Sequence, residues 1–463
     1  MSESVQSIKT SVKGEELEKR ENKYICEWGT KYNEKNLDKE KDSNEETNRT
    51  YFRRQRDRIL YTGGFRRLQD KTQVIAATKT GDHRTRLTHS LEVEQIAISM
   101  ADALGLNRHL VAAISLGHDV GHTPFGHAVE KFLNEKLKEK GGFSHAVQSV
   151  RYLKDRKVKL SKEVFEGILK HDTDVYAGGY NKKQFDCTEY NPLEPGNLEA
   201  QVVYWADKIA YLSHDFEDFY KTEIYENAIK NDKKLETKLK ETLAELIPAK
   251  KDKILEDINN FKTRDLIRNV LSNLIDESLK TLNELKGSTT LDQKTIKEKT
   301  KERILEIEKN LEIDGLKIGK IEERMSDIEG NSQMAEDEKK AEIKNMKKKI
   351  KKIKKKAYQK GLIINFEDKY SKSYSALRDI LNEHYVMSSE VQKSDKKAVR
   401  IVEALYNKFI TNIEELPVNF QNRIKSDTSK KERIVADYIA SMSDRYAEEV
   451  YDNLNSIGSY YKY

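Results

Sequence analysis

A chain of 463 residues has room for one large core or a few average ones, so length excludes only a small stapled fold. Charged residues at 35%, hydrophobic residues at 37% and only five prolines suit long helices with solvated faces and argue against a β-sandwich or disorder throughout. The net charge of +6 is a small difference between 85 basic and 79 acidic residues, compatible with an anionic ligand without demanding one. Two cysteines, Cys26 and Cys187, give neither a disulfide framework nor a zinc spacing. No apolar run reaches the roughly 20 residues of a membrane span, and no signal-peptide core opens the chain, so a cytoplasmic location is expected.

Residues 1–50 are polar, with "NEKNLDKEKDSNEETNRT" almost free of apolar side chains, and read as a loose N-terminal arm. Residues 51–286 read as a helical core. Apolar residues recur at helical spacing in "LEVEQIAISMADAL" and "HLVAAISL", and Leu266, Ile267, Val270, Leu271, Leu274 and Ile275 share one face of a later helix. In 287–360 the isoleucines step by three and four on both sides of "GNS", which predicts an antiparallel coiled-coil hairpin inserted into the core, with a break near Asp314. Its lysine-rich run "KKKIKKIKKK" reads as a solvated coiled-coil face, with nucleic acid or membrane as the competing partners. Residues 361–463 return to globular helices, giving an all-α protein.

Seven of the ten histidines fall between positions 83 and 145, and three of them lie in "SLGHDVGHTPFGHAVE". His118-Asp119 ends an apolar helix, and Gly121 and Pro124 stop it. With His89 at a helix start and Asp207 inside "AQVVYWADKIAYLSHDFEDFY", two imidazoles and two carboxylates suit Mn²⁺, Fe²⁺, Co²⁺ or Zn²⁺ with positions left open. The Asp207 helix is apolar over most of its circumference, yet Asp207, Tyr211, His214, Asp215 and Asp218 make a polar stripe along it. Buried carboxylates in a row are costly unless a cation or a hydrogen-bonding ligand meets them. The dipeptide His171-Asp172, after "VFEGILK", reads as a plain helix end.

"RTRLTHSLEVEQIA", "GHDVGHTPFGHAVE" and "ADKIAYLSHDFED" resemble the three main motifs of the HD-domain deoxyguanosinetriphosphate triphosphohydrolase family. "GFRRLQDKTQV" resembles the stretch that precedes the first histidine in that family, and "DYIASMSDRYAEEVY" its C-terminal helix. The similarity covers about 51–220, more weakly 262–286 and 361–455. The 287–360 segment departs from the family, as do Gly63 and Gly64, where a serine and an alanine are expected.

The resemblance implies an HD-domain helical core in which His89, His118, Asp119 and Asp207 hold a divalent ion, with Mn²⁺, Mg²⁺, Fe²⁺ or Co²⁺ the expected cofactor. Arg86 and Lys208 would contact a triphosphate, and His122 would lie on the phosphate side. His127, held by Glu130, would be the acid/base group, backed by His145. Gln73, Tyr211 and Asp215 would surround a deoxyribose. It further implies a homo-oligomer, by resemblance a hexamer, no membrane partner, and an allosteric dNTP or single-stranded DNA as candidate effectors. Two other readings compete: a phosphodiesterase or nucleotidase acting on another phosphate ester, and a nucleotide-sensing nucleic-acid-binding protein.

Overall fold

The computed structural model describes residues 14–32, 48–73, 84–172, 185–287, 290–331 and 333–455. Helices make up the regular structure among them, with two isolated β-bridges, Thr72 to Thr85 and Ile313 to Leu316. The centre is built from Arg86–Leu104, Arg108–Gly117 and Leu198–Tyr220, which pack on one another, with Tyr51–Leu60 against the second of them. Local chemistry fixes where these helices begin. Thr85 and Thr88 form a capping box at the first, Asn107 accepts from the amides of His109 and Leu110 at the second, and Asn197 accepts from Ala200 N at the third. The first ends at Gly105, whose φ of 65° is the left-handed conformation that glycine tolerates.

The large core cluster joins Ile96, Met100, Leu110, Val111, Ile114, Val203, Trp205 and Phe216, all buried. As the sequence pattern predicts, Leu266, Val270 and Leu274 of Thr263–Lys286 belong to it. A second cluster packs Val129 and Leu133 against Val402, Leu405, Val435 and Ile439 from the C-terminal helices. That closure is fastened by a buried ion pair, Arg151 Nη1 and Nη2 to Asp437 Oδ1 and Oδ2 at 2.7 and 3.0 Å, with Arg423 Nη2 on the same carboxylate at 3.0 Å. Replacing Asp437 with Ala leaves the Arg151 guanidinium buried without its counter-charge. A loss of about 3 kcal/mol in unfolding free energy, read by urea denaturation, is the expected result.

Of the N-terminal arm, residues 14–32 are docked rather than loose, whereas most of the stretch that carries the expectation of a loose arm, residues 33–47, lies outside the described residues. Glu15–Tyr24 is a helix, Trp28 Nε1 donates to Leu104 O at 2.8 Å, and the buried Glu199 carboxylate accepts from Thr30 N at 2.7 Å and Thr30 Oγ1 at 2.9 Å. Ile25 and Trp28 supply apolar anchors that the charged composition hides.

The 287–360 segment is not a recognisable coiled-coil hairpin but three helices, Gln293–Asn310, Ile318–Gly330 and Glu336–Gly361, the first two packed on the third. The chain breaks between the first two at Asp314 and Gly315, with φ of 53° and 72°. Ile296, Ile304, Ala357 and Tyr358 join the main core, whereas Ile313, Ile321 and Ile353 form a separate small cluster. The isoleucine spacing therefore serves two packing surfaces instead of one seam.

Candidate active site

Helix ends converge on one cavity of about 430 Å³. Arg86 and His89 occupy the first turn of Arg86–Leu104, His118 caps the end of Arg108–Gly117, and His127 and His145 each open a helix. Three helix N-termini thus face the same space, and their partial positive charge favours an anion there. Asp207, Lys208, Tyr211 and Asp215 reach the cavity from the middle of the buried Leu198–Tyr220 helix.

The turn between His118 and His127 is tightly pinned. Ser149 Oγ donates to His118 O at 2.7 Å and accepts from Gly121 N at 3.0 Å. A Cβ on Gly121 would lie 2.2 Å from Ser149 N, so only glycine allows this approach. Phe125 and Gly126 have φ of 56° and 69°, and Asp444 ties the turn down by accepting from Phe125 N and Thr72 N, each at 2.8 Å. The buried Lys71 ammonium donates to His122 O and to Ala440 O, and burial lowers its pKa to about 7.

His89, His118 and Asp207 bring their ligand atoms within 4.8 Å of one another. His118 Nδ1 lies 2.6 Å from Ser115 O, so it carries the proton, and Nε2 is a buried lone pair without a hydrogen-bond partner among the described residues. That nitrogen is 3.9 Å from Asp207 Oδ1 and 3.6 Å from Asp119 Oδ1. His89 Nε2 is 3.0 Å from Asp207 Oδ1. Burial alone would raise the Asp207 pKa, but the hydrogen-bonded His89 imidazole holds it far below the usual carboxylate range. Orphaned imidazole nitrogen beside ionised carboxylates is a donor set that fits a divalent cation.

A second constellation, His122, His127, Glu130 and His145, also clusters, but its charge state disfavours a metal. The Glu130 carboxylate accepts from His145 N at 2.7 Å and from its Nδ1 at 3.0 Å. Although burial disfavours the imidazolium, the Glu130 charge and hydrogen bond raise the His145 pKa to about 10. A protonated imidazole offers no lone pair. Its Nε2 instead donates to His171 Nε2 at 3.0 Å, while His171 Nδ1 donates to Ile168 O at 2.6 Å. Burial and the nearby His118 and His145 lower the His171 pKa to about 4, as a neutral acceptor requires.

The expected hold of Glu130 on His127 is therefore replaced by one on His145, 15 positions along the chain. His127 faces the cavity with its ring centroid 5.1 Å from that of His122 and 6.0 Å from that of His145. Desolvation lowers its pKa against the pull of Glu130. His122 is fully buried, stacks on His145 at 4.8 Å, and leaves its Nε2 without a hydrogen bond among the described residues.

Arg86 is buried and gives Nη1 to Asp119 Oδ2 at 2.6 Å, while its Nε and Nη2 have no hydrogen-bond partner among the described residues. A desolvated guanidinium with unused donors beside a cavity calls for an anion. Lys208 Nζ lies 4.0 Å from the centre of the Tyr204 ring, and its carbonyl accepts from Tyr374 Oη at 2.9 Å. Tyr211 hydrogen-bonds Asp215, whose pKa burial raises well above the usual value. Gln73 lines the same wall, and its Oε1 has no hydrogen-bond partner among the described residues.

His171, Asp172, Tyr374, Arg378 and Asn382 also line the cavity and were not expected there. His171 had a readable signal, because "ILKHD" repeats the apolar helix followed by His-Asp that introduces His118-Asp119. In the third such dipeptide only Asp215 reaches the cavity, since His214 Nε2 pairs with Glu92 Oε2 at 2.7 Å.

A model of the HD domain matches residues 86–212, and one of the phosphohydrolase-associated domain matches 364–453. Deoxyguanosinetriphosphate triphosphohydrolase-like proteins of Rickettsia conorii and Rickettsia felis are each 34% identical to the chain, over 88% of it and 92% of the relative. The homologue in Rickettsia prowazekii is 32% identical over the same shares. The chain belongs to the deoxyguanosinetriphosphate triphosphohydrolase-like family. This family member is an HD-domain, metal-dependent phosphohydrolase, and the cavity lies within and beside its HD region. Tyr374, Arg378 and Asn382 come from the phosphohydrolase-associated region. No helix among the described residues is long and apolar enough to cross a membrane.

Proposed function

We propose that the cavity hydrolyses deoxynucleoside triphosphates at the α-phosphate, releasing a deoxynucleoside and inorganic tripolyphosphate. Leu198–Tyr220 sets Asp207 and Lys208 at one level, Tyr211 one turn on and Asp215 two turns on, all in the cavity wall. A metal donor, a phosphate cation and a sugar-sized hydrogen-bonding pair thus stand in the order in which a nucleotide presents phosphate and pentose. The name of the Rickettsia relatives points to the same substrate class.

His89, His118, Asp119 and Asp207 would hold the ion. It would supply Lewis-acid polarisation of the phosphoryl group and of water. Arg86, with two donors unused, and Lys208 bind the α- and β-phosphate oxygens. The Glu130–His145–His171 chain keeps a fixed positive charge next to the reacting phosphate. Water attacks the α-phosphorus and the bond to the 5′-oxygen breaks; His127 in its protonated form gives that leaving oxygen a proton, and the proton released by the attacking water recharges the imidazole.

Asp215 accepts from the 3′-hydroxyl. A 2′-hydroxyl beside the Tyr211 ring would lose water without gaining a partner, so ribonucleotides are rejected. Incubating the metal-loaded protein with each dNTP and each NTP and separating the products tests this directly. Tripolyphosphate from dNTPs, with NTPs turned over at least about a hundredfold more slowly, is expected. Orthophosphate or pyrophosphate would instead favour another phosphate-ester hydrolase.

A further inference from the structure

The lysine-rich helix Glu336–Gly361 ends at the catalytic cavity. Gln359 lines the wall together with Lys208, Tyr374 and Arg378. Tyr358, 2% exposed, meets Tyr204 edge-on with ring centroids 6.0 Å apart, and Lys208 Nζ lies over that same Tyr204 ring. Lys355 stands three residues before Tyr358 and four before Gln359, hence on the same helix face as both. It is half-buried, and its charge acts on the Asp172 carboxylate alongside those of Lys208 and His145. Asp172 itself lines the cavity.

Direction along Leu198–Tyr220 orders these groups. Tyr204 lies one turn before Lys208, whereas Tyr211 and Asp215 follow it. The inserted helix therefore meets the cavity at the end opposite to the Tyr211–Asp215 pair. If the sugar occupies that pair, the polyphosphate tail runs toward Tyr204, Asp172 and Lys355.

We propose that Lys355 binds the terminal phosphate of the substrate and that Gln359 donates a hydrogen bond to the same polyphosphate chain, so that the inserted segment completes the active site. The inference rests on the triphosphohydrolase reading for its substrate but requires only a polyphosphate to be tested. It also gives one lysine of "KKKIKKIKKK" a role distinct from its solvated neighbours.

The test uses the full chain loaded with Mn²⁺ and compares Lys355→Gln, Lys355→Arg, Gln359→Ala and, as a control, the exposed neighbour Lys356→Gln. Calorimetry with inorganic tripolyphosphate gives Kd without turnover, and steady-state kinetics with dNTP gives KM and kcat separately. Lys355→Gln is expected to weaken tripolyphosphate binding and raise KM by about tenfold with kcat within about twofold, the size of one lost charge-assisted hydrogen bond. Lys355→Arg restores most of both, Gln359→Ala gives a smaller loss, and Lys356→Gln changes neither.

Equal Kd and KM for Lys355→Gln and Lys356→Gln would overturn the inference, whatever the wild type releases from dNTP. Absence of tripolyphosphate among wild-type products would instead overturn the triphosphohydrolase reading, while the calorimetric arm still decides on Lys355.

Discussion

Asp207→Ala is expected to lose its divalent ion on dialysis and to retain no more than about a thousandth of wild-type turnover. The carboxylate is 3.0 Å from His89 Nε2 and 3.9 Å from the unpartnered His118 Nε2, so its removal separates two imidazoles from the anion between them. A Lewis acid contributes several kcal/mol to the barrier, and each 1.4 kcal/mol is a factor of about ten in rate. The fold should persist, because the helix around position 207 is held by Trp205, Ile209 and Phe216 in the core. Metal content by mass spectrometry, with circular dichroism as the folding control, checks the result. Stoichiometric metal with turnover within tenfold of wild type would remove Asp207 from the ligand set.

His127→Ala should give the complementary phenotype, with kcat down by about a hundredfold to ten-thousandfold and metal content unchanged. His145 is engaged at both nitrogens, by Glu130 and by His171, and His122 is fully buried. His127 opens its helix on the cavity wall and is the imidazole of this group free to exchange a proton with a leaving oxygen. Its loss therefore removes proton transfer without touching the His89, His118 and Asp207 cluster. A drop in metal stoichiometry, or a kcat within tenfold of wild type, would show that His127 has another role. Glu130→Gln makes a useful comparison: the neutral amide releases the His145 charge, so its effect reports the fixed imidazolium and not the mobile proton.

Much of this site was legible in the sequence because its determinants are local. The apolar helix that ends at His118-Asp119 is readable from a few consecutive residues, and the polar stripe on an otherwise apolar helix marks Asp207, Tyr211 and Asp215 for a common purpose. What escaped is non-local. The partner of Glu130 is His145, across a helix and a turn, whereas spacing on one helix suggested His127. His171 was read as a helix end, which it is, yet the core folds that end against His145 and His118. Tyr374, Arg378 and Gln359 enter from segments distant in sequence, and no spacing rule could place them. The inserted isoleucines misled for another reason: a step of three and four residues describes a face packed on a globular core as well as a coiled-coil seam.

One isotope measurement reads which bond of the substrate is cleaved. Turnover of a dNTP in ¹⁸O-labelled water, followed by ³¹P nuclear magnetic resonance and mass spectrometry of both products, should show tripolyphosphate carrying one ¹⁸O on a terminal phosphorus and an unlabelled deoxynucleoside. Label in orthophosphate or pyrophosphate, or in the 5′-hydroxyl of the deoxynucleoside, would contradict attack at the α-phosphorus.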